Sequence, residues 1–474
     1  MAAATKSANV IGCELARFAI RFRRSKWCNV VACLAGATVA LAFALCRPAV
    51  AGSAYSIRTQ STSVFGSAQA GMTAGPYDLS RLSLNPAALG LGSGTEIVSG
   101  LSAIFLHQRA NSVDATTSFG TPTGGGLGGN AGTANAIPHF YAAMDIDERL
   151  RLGIGVTSYA GLSSKWDSGW AGRYYVGSAS LLSSDIMPVV SYRPIPSLII
   201  AGGPIIEYVR LENTTALDLG SVDQLLTGGA FGGVPGGNDG SLRTRSDSWS
   251  AGFIIGGTYE PWEGTRLGVS WRSQIRHKLR GDADFSAGGT VGQGLATTTG
   301  AFLDSRFRSS LNNPAVLTFG ISQEVTSALT LFADVQRMGW SSVQEVTLRF
   351  DNPAQPPAQS VLALRDSWYI PFGGRYQLDE RFAIRAGFAF DEAASRDATR
   401  TPLLPDNVAL WTAIGLEVRM SDRMRFDFAY GHLFSGEARV RQSAAQPGNE
   451  LRGNFGGKTR TTSDFVSMQL AWKF

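Results

Sequence analysis

The chain ends in DFVSMQLAWKF, Asp464 to Phe474. Val466, Met468, Leu470, Trp472 and Phe474 occupy alternate positions, so an extended backbone puts all five on one face, with an aromatic residue last. The same period of two returns in RLGIGVTSY (Leu152, Ile154, Val156), in RFAIRAGFAF (Phe382, Ile384, Phe388, Phe390) and in MRFDFAY (Phe426, Phe428, Tyr430). One face is apolar and the other small or polar, many times over. A β-sandwich and a membrane barrel both alternate in this way, and the connections separate them.

Very short links fall near 146–149, 194–196, 260–263, 325–328, 378–381 and 420–423. Between them lie long polar or glycine-rich segments near 107–135, 162–180, 213–246, 279–312, 341–366, 392–406 and 435–461. Tight turns alternating with long loops predict fourteen antiparallel strands with both ends on the short-turn side, the layout of a bacterial outer-membrane β-barrel. Backbone polar groups in lipid have to pair internally, so such a sheet must close. Trp166, Trp170, Tyr174, Tyr175, Trp340 and Trp368 sit where strands meet loops and are expected in the interfacial aromatic girdles.

The amino terminus reads as an export signal over residues 1–51. Arg17, Arg21, Arg23, Arg24 and Lys26 precede an apolar run from Val30 to Cys46, and Ala49-Val50-Ala51 offers a cleavage site before Gly52. The whole chain has 42 Lys and Arg against 37 Asp and Glu, of which this segment holds seven and one. The remainder is therefore close to neutral, which gives no indication of a nucleic-acid partner. Cys13, Cys28, Cys33 and Cys46 all lie in the signal, so the exported part is expected to need no disulfide and to bind no metal through thiolates.

Residues 52–93 precede the first strand and the barrel proper would span 94–474. This leading segment is rich in Ala, Gly and Ser, and it could fold into the bore as a plug, since an open fourteen-stranded pore would leak. It contains SRLSLNPAALGLG (Ser80–Gly92), whose proline biases Asn85 away from helix. TQSTSVFGSAQAGMTAGPYDLSRLSLNPAAL, Thr59 to Leu89, resembles the amino-terminal hatch of FadL-type outer-membrane transporters of long-chain fatty acids and related hydrophobes. Further similarity runs through WDSGWAGRYY (Trp166–Tyr175), MPVVSYR (Met187–Arg193), RLGVSWRSQIRHKLRGD (Arg266–Asp282) and RAGFAFDEAASRDATRTPLLPDN (Arg385–Asn407).

The resemblance implies a monomeric fourteen-stranded barrel in the outer membrane of a Gram-negative bacterium, delivered there by the outer-membrane assembly machinery and surrounded by outer-membrane lipid and lipopolysaccharide. It also implies a non-enzymatic transporter without cofactor, in which outer loops capture the ligand, the hatch moves, and the ligand leaves sideways through a kinked third strand. Gly161 is then expected at that kink, and Asn85, Pro86 and Ala87 inside the barrel facing it. The family often has two adjacent acids before the Asn-Pro-Ala motif; here Asp78 stands alone after Tyr77, leaving open how the hatch is pinned.

A fatty acid needs an apolar groove and a cation for its carboxylate. Parity in RLGVSWRSQIRHK, with Leu267, Val269, Trp271 and Ile275 towards lipid, turns Arg272, Arg276 and Lys278 into the lumen; Arg385 follows in the eleventh strand, and Arg210 stands at the outer end of the fifth. Each of these could equally be paired with a neighbouring carboxylate. Leu225, Leu226 and Phe231, in one of the longest loops, are expected to touch the ligand tail, or else to be inert loop packing. The rival ligand class is aromatic hydrocarbons; the rival function is a general diffusion porin, from which the hatch distinguishes this chain. A hydrolase is disfavoured, because His107, His139, His277 and His432 are scattered and no Gly-x-Ser-x-Gly occurs. Gly124, Gly126 and Gly129 match a dinucleotide fingerprint in spacing alone.

Overall fold

A computed structural model describes residues 54–76 and 78–474. The expected export signal and Tyr77 lie outside the described residues. The chain forms fourteen antiparallel strands: β1 (Glu96–Thr116), β2 (Ala134–Asp145), β3 (Leu150–Thr157 continuing as Gly161–Lys165), β4 (Ser178–Ile195), β5 (Leu198–Asp218) and β6 (Asp239–Trp262). Then come β7 (Thr265–Arg272 and Ile275–Ser286), β8 (Ser305–Asn313 and Val316–Glu324), β9 (Leu329–Met338 and Glu345–Phe350) and β10 (Ala358–Val361 and Ser367–Gln377). The last four are β11 (Phe382–Asp391), β12 (Ala409–Arg419), β13 (Met424–Gln442) and β14 (Asn454–Lys473). The barrel closes where β1 pairs with β14, from Glu96 opposite Lys473 to Thr116 opposite Asn454.

The six tight turns fall where the sequence puts them, but the strands on the other side run well past their expected ends. The segment 107–135 was expected to be loop, yet β1 continues to Thr116; likewise β6 begins at Asp239 and β13 reaches Gln442. Polar and glycine-rich residues can extend a strand here because this part of the wall stands outside lipid, where neither face needs to be apolar. In two outer loops the backbone forms helices, α2 (Leu219–Thr227) and α3 (Gly289–Thr299); the four-residue α1 (Thr62–Phe65) belongs to the leading segment. Asp218 caps α2 by accepting from the Ser221 amide at 3.0 Å, and Gly228 closes it at φ +71°.

β7 and β8 are broken at neighbouring heights, by Ser273-Gln274 and by Pro314-Ala315. Proline supplies no ladder donor, and at β7 the Ser273 hydroxyl accepts from the Phe253 amide (2.9 Å) while the Ser273 amide donates to Phe253 O (2.9 Å). The extra residue shifts the pleat by one position, so every later side chain of β7 changes face. Below the break Leu267, Val269 and Trp271 are exposed and Arg272 is inside; above it Ile275, His277 and Leu279 are buried while Arg276 and Lys278 point outward. The expectation that Arg276 and Lys278 face the lumen, and Ile275 lipid, is corrected accordingly.

The girdle residues are also not those expected. Trp166, Trp170, Tyr174, Tyr175 and Trp340 are buried, with Trp166 and Trp170 stacked at 4.1 Å, and of the six only Trp368 faces outward. The outer wall instead carries the aromatic pairs Tyr208–Trp249 (5.0 Å) and, four residues lower on β6, Phe253–Trp271 (5.1 Å).

Residues 54–92 are packed inside the bore. The Phe65 ring lies between Trp411 and Phe465 and against Gly431, where a Cβ would come within 2.4 Å of it, so any larger residue at 431 would expel the ring. The segment's backbone groups are met by wall side chains: Gln469 accepts from the Thr62 amide (3.0 Å), Tyr369 donates to Ala68 O (2.9 Å), Tyr141 to Gln60 O (2.7 Å) and Ser270 to Leu84 O (2.6 Å). Buried polar groups of an irregular segment need such partners, and the lumen wall supplies them.

Candidate functional site

The third strand breaks over Ser158-Tyr159-Ala160 and resumes at Gly161. The β2–β3 ladder runs only from Asp145–Arg151 up to Phe140–Val156, after which Ser158, Tyr159 and Ala160 turn into the bore. There they bond to the leading segment in place of β2: the Ile57 amide donates to Tyr159 O (2.9 Å) and the Gly161 amide to Tyr55 O (2.8 Å). The wall closes again higher up, where the Lys165 amide reaches Ala131 O (2.9 Å) and Thr133 reaches Ser163 (2.8 Å). Between these levels residues 134–139 and 158–162 form no ladder with each other among the described residues; this unpaired stretch is the window, and residues 55–60 stand behind it.

Asn85-Pro86-Ala87 lies in the bore, though not opposite this window. Asn85 caps a 3-10 helix, Pro86–Leu91, accepting from the Ala87 amide (3.1 Å), and its side-chain amide donates to Thr73 O (2.8 Å) and Gly257 O (3.2 Å). A Cβ at Gly256 would stand 2.1 Å from Asn85 Oδ1 and 2.9 Å from Pro86 Cδ. The motif therefore seats on β6, and it is Leu82 and Leu89 that touch β3, at Gly153 below the bend. The expected placement facing the kink is thus corrected: a short Asx-capped turn needs a wall without side chains, and paired glycines of β6 provide it.

Asp78 anchors the same segment. It receives Arg425 at 2.7 Å, Gln469 at 3.0 Å and the Ser80 amide at 2.8 Å. Burial would raise its pKa, but the Arg425 guanidinium and the hydrogen bonds from Ser63 and Ser80 outweigh that and hold the carboxyl at about 2. From this single acid the network continues through Arg425 and Asp427 into Arg385.

Of the cations read from sequence, Arg272 and Arg385 point into the bore, and each is held between two carboxylates. Arg272 pairs with Asp185 and Glu207 at 2.9 Å each and lies over the Tyr159 ring; Glu207 also receives His277 (2.7 Å) and Asn313 (2.6 Å). Arg385 pairs with Asp427 at 2.6 Å and with Glu417. Arg210 stands on the outer wall, paired with Glu212 at 2.5 Å.

Above the bend lies an apolar cavity of about 140 Å³. Leu162, Leu181, Leu211, Leu311 and Leu348 are among its walls, Tyr55 of the leading segment forms part of its floor, and Arg452 enters it from the β13–β14 loop. Tyr55 is fixed by its hydroxyl on Asn312 O (2.8 Å) and its ring against Trp340 (4.6 Å). Arg452 donates to the Ser360 hydroxyl at 3.1 Å, lies 5.9 Å from the Tyr175 ring, and among the described residues forms no ion pair. Burial pushes its guanidinium below the ordinary value, with Tyr175 and then Glu450 opposing. A half-buried arginine over an apolar cavity and short of a carboxylate can accept one from a ligand. Sequence parity missed Arg452 because it stands on a loop, where no period applies.

The tail contacts expected from the long loop do not line this cavity. Phe231 packs into the α2–α3 cluster, its ring 2.4 Å from where a Gly294 Cβ would stand, while Leu225 and Leu226 are 61% and 56% exposed on the outer face of α2.

The family model for outer membrane transport proteins of the OMPP1/FadL/TodX group matches residues 43–474. The chain belongs to that family. Among curated relatives it is 24% identical to a protein of Neisseria meningitidis serogroup B described as a putative outer membrane protein, over 92% of this chain and 97% of the other, and 21% identical to the long-chain fatty acid transport protein of Escherichia coli K12, over 86% and 94%. Its fold is that of a Pseudomonas aeruginosa FadL homologue (TM-score 0.83, 22% identity, 89% and 100% covered) and of the Pseudomonas putida toluene transporter TodX (TM-score 0.66, 16% identity, 89% and 100% covered). The protein is an outer-membrane transporter of hydrophobic compounds.

Proposed function

We propose that the transported compounds are long-chain fatty acids or close relatives carrying one carboxylate at the end of an apolar chain, and that they leave the bore sideways through the window in β3. The observation that carries this is Arg452, a cation without an ion-pair partner among the described residues, set at an apolar cavity whose floor is the segment that backs the window. The ligand tail leaves water for leucine walls, and its head group adds charge-assisted hydrogen bonds to the guanidinium. Tyr55 then has to move, because it separates cavity from window; withdrawing it with its neighbours breaks the bonds from the Gly161 amide to Tyr55 O and from the Ile57 amide to Tyr159 O. Movement of residues 55–60, with Asn85-Pro86-Ala87 still seated on β6, opens the path, so the stopper is the first part of the leading segment and the motif is its hinge. Leu225 and Leu226 offer the first apolar contact at the outer surface. No energy source is needed in the barrel, since the ligand runs down its own gradient.

Binding of a long-chain fatty acid and of the matching fatty alcohol to the purified full chain tests the ligand class. The acid is expected to bind more tightly, and Arg452→Gln to abolish the difference; equal affinities in the unaltered protein would remove carboxylate recognition. Filling the window with Gly161→Trp tests the exit: uptake in cells should fall with binding retained, and undiminished uptake would refute sideways release. The cavity volume favours a second reading, uptake of monoaromatic hydrocarbons, because about 150 Å³ lined by aliphatic side chains suffices for benzene. Toluene binding that is indifferent to Arg452→Gln would support it.

A further inference from the structure

Above the aromatic pair Tyr208–Trp249, the outer wall carries two adjacent rows of charge that differ in kind. In the higher row Glu212 lies opposite Arg245, Arg245 opposite Asp282, and Asp282 opposite Arg306. Signs alternate along it, with Arg245–Glu212 at 4.0 Å and Arg306–Asp282 at 3.9 Å. The lower row, one pleat closer to the membrane, starts in the same way, with Arg210 opposite Asp247 and Asp247 opposite Arg280. Then the alternation stops: Arg280 lies opposite Arg308, and Arg308 opposite Arg349. All three are exposed on the outside of β7, β8 and β9. Asp351 pairs with Arg308 at 3.1 Å; among the described residues Arg280 and Arg349 form no ion pair, and neither does Lys278, two residues below Arg280 on the same face.

Like charges directly opposite on neighbouring strands stand about 5 Å apart and repel. A sequence that alternates signs one pleat higher has no structural need for three arginines in a line here. Their position specifies what offsets the repulsion. Trp249, 55% exposed, is two residues below Asp247, hence about 7 Å nearer the membrane along the strand. The arginines therefore lie at the level where the head groups of outer-leaflet lipid begin.

We propose that Arg280, Arg308 and Arg349, with Lys278, bind the phosphate groups of an outer-leaflet lipid whose head group is a phosphorylated disaccharide. Two or three guanidinium groups side by side match a phosphate with several charge-assisted hydrogen bonds, and Trp249 offers a flat apolar surface to the sugar. The site is on the outer wall, so it stands whether or not the lumen takes fatty acids.

The test uses the purified full chain in detergent and native mass spectrometry, titrated with a hexa-acylated diglucosamine lipid phosphorylated at both ends and with the same lipid stripped of phosphate. The unaltered protein should prefer the phosphorylated lipid by tenfold or more, and the triple variant Arg280→Gln, Arg308→Gln, Arg349→Gln should bind both alike. Heat-modifiable electrophoretic mobility checks that the barrel has formed, and the single variant Arg308→Gln, expected to lose part of the preference, serves if the triple variant does not assemble. No preference in the unaltered protein, or an undiminished preference in the folded variant, would overturn the proposal. Displacement of the lipid by an equal concentration of inorganic phosphate would overturn the lipid assignment by reducing the site to a bare anion patch.

Discussion

The lower and upper halves of the bore use arginine in opposite ways. Below, Arg385 and Arg425 are locked among Asp78, Glu417 and Asp427, and what they hold is the leading segment. Above, Arg452 has a hydroxyl and an aromatic ring for company and sits over leucines. The same residue type serves as a bolt in one half and, in the function proposed above, as a receptor in the other, and the local supply of carboxylates decides which. A charge already compensated on both sides of its guanidinium has nothing left to offer a ligand.

The contrast breaks most visibly at Asp78. Asp78→Ala takes from Arg425 one of its two carboxylates, leaving Asp427 at 3.1 Å, and removes the acceptor of the Ser80 amide and of Gln469, so the loss is expected to stay below the roughly 3–5 kcal/mol of a buried charge left with no partner. Hydrogen exchange across residues 58–90 should rise and ionic current through the barrel should appear in planar bilayers, with the strands still protected. Wild-type exchange would mean that the wall hydrogen bonds alone retain the segment. Arg452→Gln should have the next largest effect, about 1.5–3 kcal/mol of fatty-acid affinity for one lost charge-assisted interaction, with thermal stability unchanged. Isothermal titration decides it, and a parallel loss of stability would place Arg452 with the bolts.

Gly256→Ala probes the seat of the Asn-Pro-Ala motif. Even one methyl group meets Asn85 at 2.1 Å, so a cost of about 1–3 kcal/mol from overpacking is expected, seen as faster exchange at residues 84–91. The smallest effects are those of pH, and they run in opposite directions. Asp78, held at about 2, stabilises the folded segment above pH ~4, and that contribution is lost as pH falls from there towards 2. Asp406, in the loop before β12, accepts from the Ala394 and Ser395 amides, yet burial, aided by Asp391, lifts it to about 6. Its contribution is complete below pH ~4 and fades as pH rises through 6. Melting curves of Asp78→Asn and Asp406→Asn should each flatten one of these windows and leave the other.

What could be read beforehand follows from which physical rule governs each residue. The barrel was legible because period-two alternation and tight turns are local signals: Phe388 and Phe390 face lipid, and Arg385 faces the bore, as parity requires. Parity failed at Arg276 and Lys278 because one unannounced extra residue at Ser273-Gln274 inverted it, and a bulge between polar residues leaves little trace in composition. The aromatic residues failed for a different reason. Trp166 and Trp170 stack on each other inside a loop, a choice made by tertiary contacts that spacing does not encode. The strand resumes at Gly161, whose bonding to Tyr55 joins residues over a hundred positions apart and so leaves no local signal. The cavity was least legible, since its walls come from seven strands and its cation from a loop.

The single extra residue in β7 sets a phase for everything above it. Removing Gln274 would restore an unbroken pleat, and the outer half of the strand would turn inside out: Arg276 and Lys278 would enter the bore, while Ile275, His277 and Leu279 would face outward. Glu207 would lose its histidine, and Arg280 would leave its row. In a barrel wall, then, a one-codon deletion acts as a frameshift in space, exchanging the chemistry of two compartments without altering the identity of any other amino acid.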